Sequence, residues 1–548
     1  MSRDRRGEEP VATTVAPPTR RRTTNVTLIR PNTIVFPKSF SWYGPVPPIG
    51  LAYIAGVLQG AGHQVTVIDS AGEGIERSVD FESPVGTLRR YGLPIDEILE
   101  RIPTDTQIVG VTHMFVHEWP HIRELTEAIR QRFPDVLIVA GGENATAFWP
   151  WMFEDSEAID ACVLGEGELT VVELADRTAH GLPWAPMEGL ALRDRAEGDA
   201  QDGGLTTRIT TKKLPEVPRP AWDLFPLGQY FRFADNFGVE RGRALPVMAT
   251  RGCPYKCSFC SSPQMWTTRY VVRDPEDVAD EIADYVHRYG VTNINFADLT
   301  AITKRKWTLA FCDALEARTP GLIWQLPVGT RAEALDREVL QRLYDTGCRN
   351  VTYAPEAGGQ RMLDVYDKRV NLEKLLDSLH EAKKIGLVTK INIIIGHPEE
   401  RWSDTWKSYR FMIRAARKGA NDAAVMMFGP YPGSADFKKL VDAGRVKVDE
   451  TYVYTALSWS SGVHESYNPR MSPRQLRLAQ LIMLCTFYGL ANLLRPRRVL
   501  SYVRAWFTGN EATQLDALLR SKRDVQPRRE HEAPSDPSTD RVPTPVST

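Results

Sequence analysis

Cys253, Cys257 and Cys260 fall within eight residues, in the stretch Thr250–Pro263 that reads TRGCPYKCSFCSSP. A thiolate is a metal ligand as well as a nucleophile, and C-x3-C-x2-C spacing offers three of them from a single loop. Two inorganic centres suit sulfur. Structural zinc takes four ligands, usually from two pairs of residues, so it would need a distant His or Cys to complete three local thiols. A four-iron, four-sulfur cluster held by three thiolates leaves one iron open for a small molecule. The other cysteines, Cys162, Cys312, Cys348 and Cys485, are isolated, and the total of seven is odd. That usage argues against a secreted disulfide framework and for a reducing, cytoplasmic setting.

A loop does chemistry only where a scaffold holds it. From Leu245 a strand–helix series begins: LPVMATRG (245–252), NINFAD (293–298), IWQLPVGT (323–330), NVTYAPE (350–356), KINIIIG (390–396) and DAAVMMFGPYP (422–432) are predicted strands with helical patterns between them. Six βα units in a row predict a partial (βα)6 barrel, and barrel enzymes carry their chemistry on the loops after the strands. The three cysteines follow the first of these strands.

Between Asn25 and about His180 strands also alternate with helices, predicting an N-terminal doubly wound, Rossmann-like parallel sheet and an α/β fold overall. Ligands of such sheets sit beyond the C-terminal strand ends. Here those ends are Thr112, Gly141-Gly142 and Gly165-Glu166-Gly167-Glu168. Glycine lets a bulky ligand approach the backbone; glycines that merely turn the chain read equally well. His113, His117 and His121 follow the third strand and read as surface or helix-capping residues.

The sequence divides into a polar tail (1–24), the sheet domain (25–180), a Pro/Gly-rich linker (181–244), the barrel (245–445), a helical C-terminal segment (446–524) and a second tail (525–548). The tails have few large apolar side chains to bury and are expected to be disordered. At 42% hydrophobic and 25% charged residues the chain is ordinary globular protein, and its net charge of −1 gives no general attraction to nucleic acid.

With these residues placed, Cys253-Pro-Tyr-Lys-Cys257-Ser-Phe259-Cys260 resembles the signature of the radical S-adenosylmethionine (SAM) enzymes, C-x3-C-x-aromatic-C after the first barrel strand. The resemblance spans about 245–445. It implies a 4Fe–4S cluster on the three cysteines, SAM bound to the open iron, and cleavage to methionine and a 5′-deoxyadenosyl radical. YAPEAGGQRML (353–363) resembles the fourth-strand segment and would put Glu356 on the SAM ribose. INIIIGHPEE (391–400) resembles the fifth, where the backbone near Gly396 would hold adenine, although Asn392 stands where relatives often have Gly. GTRAEAL (329–335) would turn Arg331 to the SAM carboxylate. Ordinary surface ion pairs are the alternative for Glu356 and Arg331.

A doubly wound domain ahead of such a barrel is similar to the layout of the cobalamin-binding radical SAM enzymes, with Thr112, Gly141, Gly142, Gly165, Glu166 and Gly167 on the cobalamin side. No Asp-x-His-x-x-Gly motif is present, so no protein histidine is expected below cobalt. The resemblance implies a class B methyltransferase: one SAM methylates cobalamin, and a second supplies the radical that opens a substrate carbon to that methyl. The expected substrate is an unactivated carbon of a lipid or secondary metabolite, with an external reductant of flavodoxin or ferredoxin type. The sequence after Cys260 and the C-terminus are similar to the hopanoid C-3 methylases. Relatives of the same layout catalyse cyclisation or oxidation, and a zinc-organised binding or scaffold protein is the alternative of another class. RLAQLIMLCTFYGLANLLRPRR (477–498) is expected to cap the barrel as a buried helix; the rival is an interfacial helix anchored by Arg495, Arg497 and Arg498, giving peripheral membrane contact.

Overall fold

The computed structural model describes residues 22–37, 45–193, 200–204, 214–233, 239, 241–457 and 465–500, with Tyr502, Thr513 and Leu515. Strands β1 (Asn25–Arg30), β2 (Gln64–Asp69), β3 (Ile108–Thr112), β4 (Leu137–Gly141) and β5 (Ala161–Val163) pair in parallel in the order β2-β1-β3-β4-β5. Their apolar runs are continuous because helices cover both faces; Ile138, Val139 and Ala140 of β4 are all buried. The strand order reverses between β1 and β3, so the ligand crevice opens where Arg30 and Thr112 end their strands.

Two parts of this half are not evident from sequence periodicity. Leu190–Arg193 and Ala200–Asp202, inside the stretch read as linker, extend the sheet antiparallel beyond β5. Thr33–Val35, Gly86–Tyr91 and Ser78–Ser83 form a small antiparallel sheet. These strands are short and polar, and pairing partners rather than intrinsic preference decide such segments. Thr24, assigned to the polar tail, is buried, and its hydroxyl donates to the Ala175 carbonyl at 2.6 Å. The remainder of that tail up to residue 21, and the whole C-terminal tail, lie outside the described residues.

The second half pairs six strands in parallel and in chain order: β6 (Ala244–Val247), β7 (Asn293–Phe296), β8 (Ile323–Thr330), β9 (Cys348–Glu356), β10 (Val388–Ile395) and β11 (Asp422–Met427). The expected partial barrel is there. Its helices follow from local sequence. Pro275–Tyr289 starts with Asp274 accepting from the Glu276 amide at 2.9 Å, carries Pro at its first position and stops at left-handed Gly290. Val278, Ile282 and Tyr285 give it one buried face.

A partial barrel leaves an unpaired edge at β11, and edges need cover. Helix Pro473–Leu494 supplies it. Leu476, Gln480, Met483, Phe487 and Ala491 form its buried stripe, and Gln480 Nε2 donates to the Val425 carbonyl of β11 at 2.6 Å. The capping expectation holds for that face, while Leu478, Leu481, Ile482 and Leu493 on other faces are exposed.

Within the segment read as a linker, Ala221 and Trp222 pack against both halves. Trp222 is fully buried and meets Tyr285 of a barrel helix edge-on, while the Ala221 amide donates to the Ala52 carbonyl of the sheet domain. Pro, Gly and charge in that segment hid a single well-placed tryptophan that joins the two cores.

Candidate cofactor site

The cysteine loop runs from β6 across the top of the barrel. All three thiols are free and partly buried. Burial pushes each thiol pKa up, while Arg331 and Lys368 pull Cys253 and Cys257 back toward the thiolate that a metal requires. Among the described residues no three His, Cys, Asp or Glu side chains are grouped to hold a single metal ion. A tetrahedral zinc needs such convergence, whereas a four-iron cluster takes one thiolate at each of several irons. Three thiols from one loop match a cluster with one open iron, whereas structural zinc needs a fourth ligand.

Barrel residues shape the loop from below. Ser258, between Cys257 and Phe259, donates to Asp436 at 2.7 Å, and Asp436 lies 3.2 Å from His397 Nε2. Phe259 meets Tyr366 edge-on at 5.2 Å. Arg331 stacks 3.5 Å over Tyr255, between the first two cysteines, and also donates to the Arg369 carbonyl. It is buried beside the cysteine loop, with the exposed Glu333 carboxylate 3.9 Å away.

Glu356 ends β9 just past a register break in its pairing with β10, and has a φ of 65°. A non-glycine residue in the left-handed region costs on the order of 1–3 kcal/mol and persists where the surroundings over-determine it. Its Oε1 pairs with Lys368 at 2.9 Å, and buried Oε2 has no protein partner. The Asn392 Oδ1 of β10 is likewise buried without a partner. An orphaned buried acceptor is costly, and two on neighbouring strands suit a polar ligand across the barrel top. Gly396 has a φ of 87°, and a Cβ there would lie 2.8 Å from Leu476 of the C-terminal helix. Its lack of a side chain is thus explained by helix packing, whatever else its backbone does.

The sheet-domain glycines lie at the ends of β4 and β5. Gly142 has a φ of 118°, and a Cβ there would meet the His113 carbonyl at 2.7 Å, so only glycine fits. Gly165 also has a positive φ, while Gly141 and Gly167 do not. Thr112 ends β3 opposite Gly141. Met114 and Phe115 in the next loop are exposed, an apolar rim at the crevice. His113 and His121 are not surface residues: both are buried. Desolvation pushes the His113 pKa down to about 3, and its Nε2 takes the Asn144 amide at 2.9 Å.

The Glu166 carboxylate is turned to the barrel. Arg251, two residues before Cys253, lies 3.0 Å from Glu166 and 2.5 Å from Glu168, with all three side chains buried. The guanidinium also faces the Tyr53 ring at 5.1 Å. On the other side of the loop, Ser261 donates to Glu143, which follows Gly142. Sequence inspection did not single out Arg251 or Glu143; the one available signal was that each sits next to a motif residue.

Glu118, in the loop after β3, is buried near Arg30, and desolvation lifts its pKa from 4.5 to about 8. Folded, it stays protonated while the unfolded chain ionises, so the stability it contributes is present below about pH 4.5 and lost as pH rises to about 8. Glu118→Gln should gain stability relative to the parent over that window, by up to about 1.4 kcal/mol per pH unit. Unfolding midpoints of both proteins at pH 5, 6.5 and 8 check this; a difference that does not change with pH contradicts it.

Two family descriptions match the two halves: the B12 binding domain over residues 40–175 and the Radical SAM superfamily over residues 247–412. The chain is 26% identical to a cytidylyl-2-hydroxyethylphosphonate methyltransferase of Streptomyces wedmorensis, over 80% of this chain and 85% of that one. It is 29% identical to an anaerobic magnesium-protoporphyrin IX monomethyl ester cyclase of Rubrivivax gelatinosus, over 75% and 69%. It is 23% identical to the hopanoid C-3 methylase of Methylococcus capsulatus, over 67% and 64%. The solved structure of the cobalamin-dependent SAM radical enzyme OxsB, with aqua-cobalamin and SAM bound, superposes with a TM-score of 0.65 at 14% identity, covering 92% of this chain and 76% of that one. The radical SAM methyltransferase TsrM from Kitasatospora setae gives 0.58 at 17%, covering 77% and 78%. At those identities the superpositions speak for the fold.

A doubly wound B12-binding sheet joined to a partial radical SAM barrel defines the class: an enzyme that pairs an iron–sulfur cluster with a corrin. The chain carries the B12-binding and radical SAM domains that the cobalamin-binding radical SAM enzymes combine, and the cofactors are a 4Fe–4S cluster, SAM and cobalamin.

Proposed function

We propose that the protein is a cobalamin-dependent C-methyltransferase that acts on an unactivated carbon of a small molecule. The supporting observation is the meeting of the two halves: Glu143, beside the Gly141-Gly142 strand end, holds Ser261, the residue after Cys260. When bound, the cluster with SAM supplies a carbon-centred radical, and cobalamin supplies a methyl group. The protein's part is to hold and orient. Cys253, Cys257 and Cys260 carry the cluster. Phe259, Arg331, Glu356 and the Gly396 backbone face SAM, with the Glu356 Oε2 as a free acceptor. Thr112 and the glycine loops Gly141-Gly142 and Gly165-Gly167 receive the corrin, and Glu166 ties that side to the barrel. Electrons come from a flavodoxin- or ferredoxin-type reductant. Methyl-labelled SAM tests the reading: label is expected in the product, with one added methyl.

A second reading is oxidative cyclisation. It is favoured by the 29% identity to the magnesium-protoporphyrin monomethyl ester cyclase, and it predicts product with no label and no added methyl. As to substrate class, the exposed Leu478, Leu481, Ile482 and Leu493, with Trp402 and Trp406 exposed on the helix that packs against theirs, support contact with a lipid surface, as a lipid substrate would require. Co-sedimentation with anionic phospholipid vesicles is the expected result, lost in Leu478→Glu with Ile482→Glu; protein that stays in the supernatant would remove the lipid from this reading.

A further inference from the structure

Both loops on the cobalamin side of the sheet domain reach across to the cysteine loop and grip it at its two ends. The loop after β4 gives Glu143, which accepts from Ser261, one residue past Cys260. The loop after β5 gives Glu166 and Glu168, which clamp Arg251 at 3.0 Å and 2.5 Å, two residues before Cys253. The grip is reinforced where the halves touch. The Thr146 hydroxyl lies 3.3 Å from Met265 Sδ and accepts from the Gly165 amide at 3.0 Å. Gly433, after β11, has a positive φ, and a Cβ there would lie 2.9 Å from Ala147 of the sheet domain.

The chemistry of these contacts is unusual for a mere domain boundary. Interfaces within a chain resemble transient ones, and relative motion of the domains is the default. Charged residues are depleted from interface centres unless paired. Here a cation and two anions are removed from water together, so a small slip of one domain against the other that keeps water out would weaken the pairing while the charges stay desolvated. Both carboxylates meet the same guanidinium nitrogen, Nη1 of Arg251. The barrel holds the middle of the same loop through Asp436 and Ser258. The barrel also holds the backbone at the first end, where Asp298 accepts from the Ala249 and Thr250 amides, while the side chains of Arg251 and Ser261 answer to the sheet domain.

We propose that Glu143, Glu166 and Glu168 are positioning residues that set the register of the cysteine loop against the strand ends of the sheet domain. The spacing of the two cofactor sites is then fixed by ion-pair geometry, independent of substrate. The inference needs both cofactors and does not depend on whether the reaction is methyl transfer or cyclisation.

The test is a distance measurement. Holoenzyme with reduced cluster and cob(II)alamin is examined by pulsed dipolar spin resonance, in the parent and in Glu166→Gln, Glu168→Gln and Ser261→Ala. Each single change leaves Arg251 at least one carboxylate or leaves its clamp untouched. The parent is expected to give one narrow inter-spin distance. The variants are expected to keep their iron and cobalamin while the distance shifts or its distribution broadens, most in a combined Glu168→Gln, Ser261→Ala chain. Full cofactor content with the parent's narrow distance in every variant would overturn the proposal. Loss of cluster or corrin from the single variants would overturn it too, because the carboxylates would then serve binding or folding rather than register. A failure of methyl labelling with an altered distance would strike the functional reading alone.

Discussion

Anaerobically purified Cys257→Ala is expected to lack the cluster, to lose its broad absorption near the blue, and to form 5′-deoxyadenosine from SAM only at background. Three thiolates are the fewest that hold such a cluster while leaving one iron open, and none of the isolated cysteines lies in the same loop. Arg331 and Lys368 beside the loop favour thiolates, but charge cannot replace a missing sulfur. Cys485→Ala is the control. That thiol is exposed on the C-terminal helix, and its loss should leave iron, sulfide and SAM cleavage unchanged. Full iron retention in Cys257→Ala would defeat the ligand assignment.

Arg251→Met is expected to produce a large loss of stability, comparable to truncating a fully buried aromatic side chain. Its removal strands Glu166 and Glu168 in a buried site with no cation between them. Breaking a buried pair from one side costs about 3–5 kcal/mol, which for one domain lowers an unfolding midpoint by on the order of 10 °C. Arg414→Met tests the contrast. The Arg414–Glu373 pair is largely exposed, and surface substitutions of this kind fall within about 0.5 kcal/mol. Thermal unfolding of the two variants under one set of conditions decides it; equal midpoints would show that the Arg251 clamp carries no special energy.

Much of the molecule was legible because its signals are local. Parallel strands buried on both faces have to be continuous apolar runs, so β1 to β11 stood out with the glycines and cysteines at their ends. The cysteine spacing is likewise contained in one loop. What was not legible is pairing at a distance. Nothing around Arg251 says that its partners lie in LGEGE, because an ion pair is a property of the folded interface. Trp222 looked like linker because one buried aromatic leaves no period. Gly396 read as a backbone ligand contact; that Leu476 of the C-terminal helix also packs against it is a property of the folded chain that no local pattern shows. His113 and His121 read as surface or helix-capping residues because neutral buried histidines carry no distinguishing sequence pattern.

Methyl transfer itself is tested most directly by the nucleoside products of SAM, with substrate and reductant present. Each methylation consumes two SAM molecules by different routes, one leaving S-adenosylhomocysteine and the other 5′-deoxyadenosine. Near-equal amounts of the two, rising together with a product that has gained a single methyl, are the expected result. Abundant 5′-deoxyadenosine with no matching S-adenosylhomocysteine, and a product without added methyl, would contradict methyl transfer and make the enzyme a cyclase or oxidase of the same architecture.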